Sequence, residues 1–116
     1  MTDNDLETDR DQFCTTATGY WTAIHDADAD TATAQTEAGE QIVDRWAAAG
    51  QAGELLGPLL ESPVDQIRYA AAAHLLRLGI QEDRSVEVLE ELKQDPDGLI
   101  APTARLLLMQ RKRRPE

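Results

Sequence analysis

Apolar residues recur along the first quarter of this chain at intervals of three, four and seven, the spacing that places side chains on one face of an α-helix. The pattern predicts a helix from about residue 6 to residue 27. Its apolar face comprises Leu6, Phe13, Ala17, either Tyr20 or Trp21, and Ile24. Gly19 and a cluster of threonines have weak helix propensity, so this helix depends on packing for its stability.

A second helix is predicted from about residue 31 to residue 49. The alternating aspartates Asp26, Asp28 and Asp30 before it are N-cap candidates and mark a turn, and Gly50 ends it. At about 100° per residue the helix is strongly amphipathic. One side carries Ala38, Ile42, Trp46 and Ala49, and the opposite side carries Glu37, Glu40 and Asp44.

Four shorter helices are predicted in the second half. The first spans about residues 51 to 61, and Pro58 inside it lacks a backbone donor, so a kink or a late helix start is expected there. The next follows Pro63 and ends at Gly79, with Ile67, Ala71, Leu75 and Leu78 facing inward. A helix over about 84 to 94 has Asp83 as its expected cap and Val86, Leu89 and Leu92 inward. A turn at residues 95 to 98 precedes the last helix, from about 102 to 111.

Composition supports an all-α class. Hydrophobic residues make up 41% of the 116 positions, many of them alanine, and aromatic residues only 4%, which favours closely packed helices over a sheet. The length suits one domain. We therefore expect a disordered start over residues 1–5, a single helical domain over 6–111 and a basic, frayed tail over 112–116.

The segment from Leu55 to Gly79 resembles a HEAT repeat. A leucine-rich first helix, a polar turn with Pro63 and Asp65, an Ile67-Arg68 pair and an alanine-rich second helix ending in glycine follow one another in the order of that repeat. Residues 84–109 are similar to a degraded second copy that lacks the Ile-Arg pair. The resemblance implies a short HEAT-like α-solenoid, a right-handed superhelix of about five to six antiparallel helices. It also implies that Arg68 pairs with a carboxylate of the turn, either Asp65 or Glu61.

The layout as a whole is similar to a family of small bacterial HEAT-like domains of unassigned function. Members of that family are often encoded beside polymorphic toxins and are thought to act as immunity proteins. The resemblance therefore implies a chain that neutralises a cognate toxin by binding it. The alternative is a HEAT-type scaffold or adaptor that holds a peptide or an enzyme, and a HEAT-like nucleic-acid glycosylase is a third reading, disfavoured by the short acidic chain.

Acidity is concentrated in the first half of the chain. The net charge is −11, and residues 1–66 contain 14 acidic and 2 basic side chains. Such a field repels nucleic acids and anionic membranes and attracts basic proteins. Acidity also fits a protein kept in solution by charge or one from a salt-adapted source. The basic run at residues 111–114 lacks interleaved aromatic residues and is better explained as a helix end.

Candidate chemistry is sparse. Cys14 and His25 would lie about 16 Å apart on one helix, so they cannot form a catalytic pair. A hydrogen bond to a neighbouring polar group is sufficient to explain a histidine at position 74. The carboxylates of Asp26, Asp28 and Asp30 are not followed by the other residues of a calcium-binding loop. We therefore expect no enzymatic activity, no metal and no cofactor.

The predicted partner is a protein, with a basic toxin domain as the specific candidate, and we expect no nucleic acid or membrane partner. The acidic start does not resemble a secretory signal and no apolar run is long enough to span a membrane, so we expect a cytoplasmic location. The predicted contact residues form an acidic group and, as the next candidate, a concave HEAT surface. The acidic group comprises Asp26, Asp28, Asp30, Glu37, Glu40 and Asp44. The concave HEAT surface is represented by Tyr69 and His74.

Overall fold

The computed structural model describes residues 3–94 and 100–113, with side chains described from residue 8 to 94 and from 100 to 110. Every regular element in these ranges is helical, which confirms the all-α class. The helices are α1 (Asp3–His25), α2 (Ala29–Ala48), α3 (Ala52–Leu56), a 3₁₀ helix (Gly57–Glu61), α4 (Asp65–Leu78), α5 (Glu82–Leu92) and α6 (Ile100–Arg113). The chain divides into two compact units, Met1–Leu55 and Leu56–Glu116.

The first unit is built on an antiparallel hairpin of α1 and α2. The ring centroids of Phe13, in the first half of α1, and Trp46, near the end of α2, lie 5.7 Å apart. A hydrogen bond of 3.1 Å from Arg45 to Asp9 joins the same ends of the two helices at the surface. The buried side includes Phe13, Trp21, Ile42, Val43 and Trp46, so the apolar spacing predicted the packed faces of both helices.

Small residues let α1 and α2 approach closely. A Cβ atom on the buried Gly39 would meet the Thr16 hydroxyl at 3.3 Å, and one on Gly19 would meet the Gln35 amide nitrogen at 2.9 Å. The Thr16 hydroxyl is itself buried and donates to the carbonyl of Phe13 within its own helix. A Cβ atom at Gly39 would therefore require the Thr16 hydroxyl to shift by a few tenths of an ångström.

The second unit is organised around α4, which packs on the 3₁₀ helix, α5 and α6. Ala71, Ala72 and Leu75 of α4 are completely buried, because alanine occupies little space and allows neighbours on several sides of the helix. Leu89 of α5 and Ala104 of α6 are likewise buried. Arg68 joins α4 to α5 at the surface: it pairs with Asp65, one of the two predicted carboxylates, and lies 3.5 Å from Glu91.

Three helices end in the same left-handed turn. In each, a backbone amide just past the helix donates to a carbonyl five residues earlier: Asp28 to Ala23, Gln51 to Trp46, and Ile80 to Leu75. The residue before that amide has positive φ in every case, with Ala27 at 58°, Gly50 at 72° and Gly79 at 72°. These are Schellman caps, of which Gly79 was predicted from its position and Ala27 was not.

Several element boundaries differ from those expected. Pro58 does not kink a continuous helix; it lies in the first turn of the 3₁₀ helix, which follows α3 directly. Helix α5 begins two residues early, with Gln81 at its N-cap position and no side-chain cap, so the expected Asp83 cap is wrong. Leu78 is only half-buried, because it is the last residue of α4. Helix α1 begins at Asp3 where Leu6 was expected.

Some predictions fall outside the described residues. These are the first two residues of the predicted disordered start, the turn at 95–98, and residues 114–116 of the predicted tail. The side chain of Leu6 also lies outside the described part.

Candidate functional site

An open groove of about 560 Å³ runs along the α1–α2 hairpin. Its lining from α1 is Tyr20 and Ile24. Its lining from α2 is Ala29, Ala32, Thr33, Thr36, Glu37 and Glu40. We call this feature the hairpin groove.

The groove exists because α2 begins with small side chains. Ile24 falls on the face of α1 that carries Phe13 and Ala17, so its spacing predicted a core position. It is nevertheless 38% exposed. The first residues of α2 that line the groove, Ala29, Ala32 and Thr33, have side chains too short to cover an isoleucine. The expectation that Ile24 lies in the core is therefore corrected, and its side chain forms part of the apolar floor.

The sequence left open whether Tyr20 or Trp21 belongs to the apolar face of α1, and the structure gives the two residues different environments. Trp21 is buried in the hairpin, whereas Tyr20 is half-buried and lines the groove. Their rings meet edge to face, with centroids 5.1 Å apart. The tyrosine ring that lines the groove therefore packs on the buried tryptophan in a favourable edge-to-face contact.

Glu37 and Glu40 give one edge of the groove an acidic character. Both are exposed, and they line the groove together with Thr33 and Thr36. Asp44 is exposed one turn further along the same side of α2. On the predicted buried side, Ile42 and Trp46 are buried in the hairpin and Ala38 is half-buried. Ala49 was also expected there but is exposed, because it lies at the C-cap of α2.

Asp28 has a structural role. Its carboxylate accepts hydrogen bonds from the Thr31 backbone amide at 3.1 Å and from the Thr31 hydroxyl at 2.6 Å, which makes it the N-cap of α2. The hydroxyl bond and then the amide bond lower the pKa of Asp28 below its ordinary value. Of the three aspartates considered as caps, the structure therefore selects this one.

The other two aspartates of the turn are exposed. Asp26 lies 3.4 Å from the Nδ1 atom of His25, and Asp30 lies in the first turn of α2, where a negative charge is favourable. Within residues 3–94 and 100–113, no group of three His, Cys, Asp or Glu side chains is arranged to hold a metal ion.

Tyr69 and His74 lie on α4, in the second unit. Both are half-buried, and five residues separate them, which places them about 140° apart around the helix. His74 Nδ1 lies 3.2 Å from an Arg77 guanidinium nitrogen, which donates to it. The neighbouring polar group predicted for His74 is thus Arg77, and α4 does not bring Tyr69 and His74 onto one face.

Cys14 is half-buried on α1 and forms no disulfide. Burial, followed by the negative charge of Asp11, raises the pKa of its thiol, and Arg10 offsets this in part. The thiol is therefore held in its protonated, less reactive form at neutral pH.

Sequence reasoning missed the apolar and hydroxyl part of the groove. Tyr20, Ile24, Thr33 and Thr36 were not among the predicted contact residues. Their signal was the segment from Ala29 to Thr36, in which six of eight residues are alanine or threonine and none is a bulky apolar side chain that could cover the end of α1.

The fold defines an all-α protein whose described helices include none that is both long enough and apolar enough to cross a lipid bilayer. Neither a protein-family model, nor a curated protein, nor a solved structure matches the chain.

Proposed function

We propose that this chain is a protein-binding domain that acts by binding to a basic surface of a partner protein and not by catalysing a reaction. The observation that carries the proposal is the hairpin groove, in which the exposed Ile24 and the half-buried Tyr20 lie beside the carboxylates of Glu37 and Glu40. An apolar centre with a charged rim is the usual composition of a protein–protein contact.

The shape of the groove favours a protein over a small molecule. The groove is open, and it follows α2 from Ala29 to Glu40, a rise of about 16 Å. Small-molecule sites enclose most of their ligand. An open, elongated groove of this kind instead suits a helix or an extended segment presented by a larger surface.

The negative charge of the first unit favours a positively charged partner. The first unit, residues 1–55, contains 12 acidic side chains and only two basic ones, Arg10 and Arg45. Arg45 already pairs with Asp9. The field around the groove is therefore negative, and it accelerates encounter with a basic surface before Ile24 and Tyr20 are covered.

The particular function that we propose is immunity against a cognate toxin. Support comes from the resemblance of residues 55–79 to a HEAT repeat of the kind found in small immunity-like domains, together with the acidity of the first unit. Many toxins that cleave nucleic acids need a basic cleft to hold phosphates. An acidic, partly apolar groove would cover such a cleft and exclude the substrate.

Gene context and co-expression test this proposal. We expect the adjoining gene to encode a large protein that ends in a short toxic module. Expression of that module alone should stop growth, and co-expression with this chain should restore it. A triple variant with Glu37, Glu40 and Asp44 changed to Lys should fail to protect.

The matched control changes three other exposed carboxylates, Glu54, Asp83 and Glu87, to Lys. It alters the net charge equally and should still protect. Placement in a metabolic operon, or an adjoining product that is not toxic, would contradict immunity and favour an adaptor. Equal loss of protection by both triple variants would contradict the groove as the contact.

A further inference from the structure

Three large hydrophobic side chains are exposed in the described part of the chain. They are Ile24 at 38%, Leu106 at 54% and Met109 at 45%. Ile24 belongs to the hairpin groove, and the other two lie on α6. A single exposed apolar side chain is ordinary, but exposed apolar side chains that adjoin one another commonly mark contact surfaces.

The residues on α6 form a stripe. Pro102, Leu106 and Met109 are all exposed and are spaced four and three apart, which places them along one side of the helix over about 10 Å. The opposite side of α6, with Ala101, Ala104 and Leu108, is buried. We call Pro102, Leu106 and Met109 the outer stripe of α6.

Positive charge accompanies the outer stripe. Arg105 is exposed beside Leu106, and the sequence continues into four consecutive basic residues, Arg111 to Arg114. No acidic residue occurs between residues 98 and 115. The helix therefore combines an exposed apolar stripe with cationic residues.

The hairpin groove has the complementary chemistry and a sufficient length. Its apolar floor contains Ile24 and Tyr20, and its edge contains Glu37 and Glu40. Its run of about 16 Å along α2 is enough for the stripe of about 10 Å. A helix that places residues at i, i+4 and i+7 into an apolar groove is a common mode of recognition.

We propose that the outer stripe of α6 docks into the hairpin groove of a second copy of this chain. The contact is heterologous, because one surface of the first copy meets a different surface of the second. The contact covers Ile24, Leu106 and Met109 together and brings Arg105 close to Glu37 and Glu40. The contact is small, so the association is weak, reversible and sensitive to salt.

Two variants test the contact. The groove variant carries Ile24→Ser, Glu37→Gln and Glu40→Gln, and the stripe variant carries Leu106→Ser and Met109→Ser. All five positions are exposed, so both variants should retain the helical circular dichroism and a cooperative thermal transition. Sedimentation equilibrium of the full chain over about two decades of concentration gives the weight-average mass.

We expect the mass of the parent to rise with concentration and to fall back toward that of a monomer at high salt. Each variant alone should remain monomeric. An equimolar mixture should form a mixed dimer, because the stripe variant retains an intact groove and the groove variant retains an intact stripe. The return of association in the mixture shows that each variant is folded and that the contact joins two different surfaces.

A parent that stays monomeric throughout the range would overturn the inference, and so would variants that associate as the parent does. If the parent associates but the mixture of the two variants does not, the stripe does not dock into the groove and the inference is wrong. The test needs no foreign partner, so its outcome is independent of the proposed function, although both use the same groove.

Discussion

At the scale of single residues, burial separates the side chains that stabilise the fold from those free to act at the surface. Leu75 of α4 is completely buried in the second unit, whereas Leu106 of α6 is 54% exposed. The two leucines have the same chemistry, and only their surroundings differ. They therefore form a matched pair for measuring what burial contributes.

We expect Leu75→Ala to reduce the free energy of unfolding by about 2 to 5 kcal/mol, because it removes buried methyl groups and leaves a cavity. Leu106→Ala should change it by less than about 0.5 kcal/mol. Urea denaturation followed by circular dichroism measures both. A negligible shift of the midpoint for Leu75→Ala would show that α4 is not the centre of the second unit.

The cap of α2 predicts a dependence on pH. The hydrogen bonds from Thr31 lower the pKa of Asp28 from an ordinary value of 3.8. A carboxyl with a lower pKa in the folded state stabilises the fold above its ordinary pKa, and that contribution disappears as pH falls through the folded-state pKa.

Asp28→Ala should therefore lower the thermal midpoint at pH 7, and its difference from the parent should shrink as the pH falls below 3.8. Asp28→Asn is the control, because it keeps a side-chain acceptor at every pH. Differential scanning calorimetry across pH 2 to 7 makes the comparison. A difference that stays constant down to the lowest pH would contradict the role of the carboxylate charge.

At the scale of elements, helix ends show what the sequence could and could not predict. Gly79 identified the end of α4, because glycine adopts positive φ without a steric penalty. Ala27 adopts a φ of 58° at the end of α1, and nothing in the identity of an alanine indicates that conformation. Asp83 looked like a cap for α5, yet the helix begins before it, with Gln81 at φ 50°.

The groove was missed for a related reason. Periodicity predicted which face of α1 is apolar, and Phe13, Ala17 and Trp21 are indeed buried. Whether Ile24 is covered depends on the size of the side chains that α2 places opposite it. That information concerns the pairing of two helices, so it is absent from the pattern of either helix alone.

Replacing Ala27 by glycine should stabilise the protein by about 1 kcal/mol, since glycine relieves the left-handed strain at this cap. Gly79→Ala, at the equivalent position of α4, should destabilise it by a similar amount. Urea denaturation measures both variants. If Ala27→Gly were neutral or destabilising while Gly79→Ala behaved as expected, the turn between α1 and α2 would not have this conformation.

At the scale of the whole molecule, charge is the property that most strongly limits the choice of partner. The acidic positions Glu37, Glu40 and Asp44 are exposed along one side of α2, and exposed carboxylates contribute little to stability. Their removal should therefore affect binding far more than folding. The sequence predicted this acidic side correctly; that it borders an apolar groove became visible only in the structure.

The association rate with the proposed partner, the product of the adjoining gene, tests the central claim most directly. Stopped-flow or surface-plasmon measurements at several salt concentrations should compare the parent, the variant with Glu37, Glu40 and Asp44 changed to Lys, and the control with Glu54, Asp83 and Glu87 changed to Lys. We expect the first variant to keep its thermal midpoint within a few degrees and to bind at least about tenfold more weakly, mainly through slower association at low salt. The control should stay close to the parent. A first variant that binds as fast and as tightly as the parent at every salt concentration would contradict the account and place the contact elsewhere on the molecule.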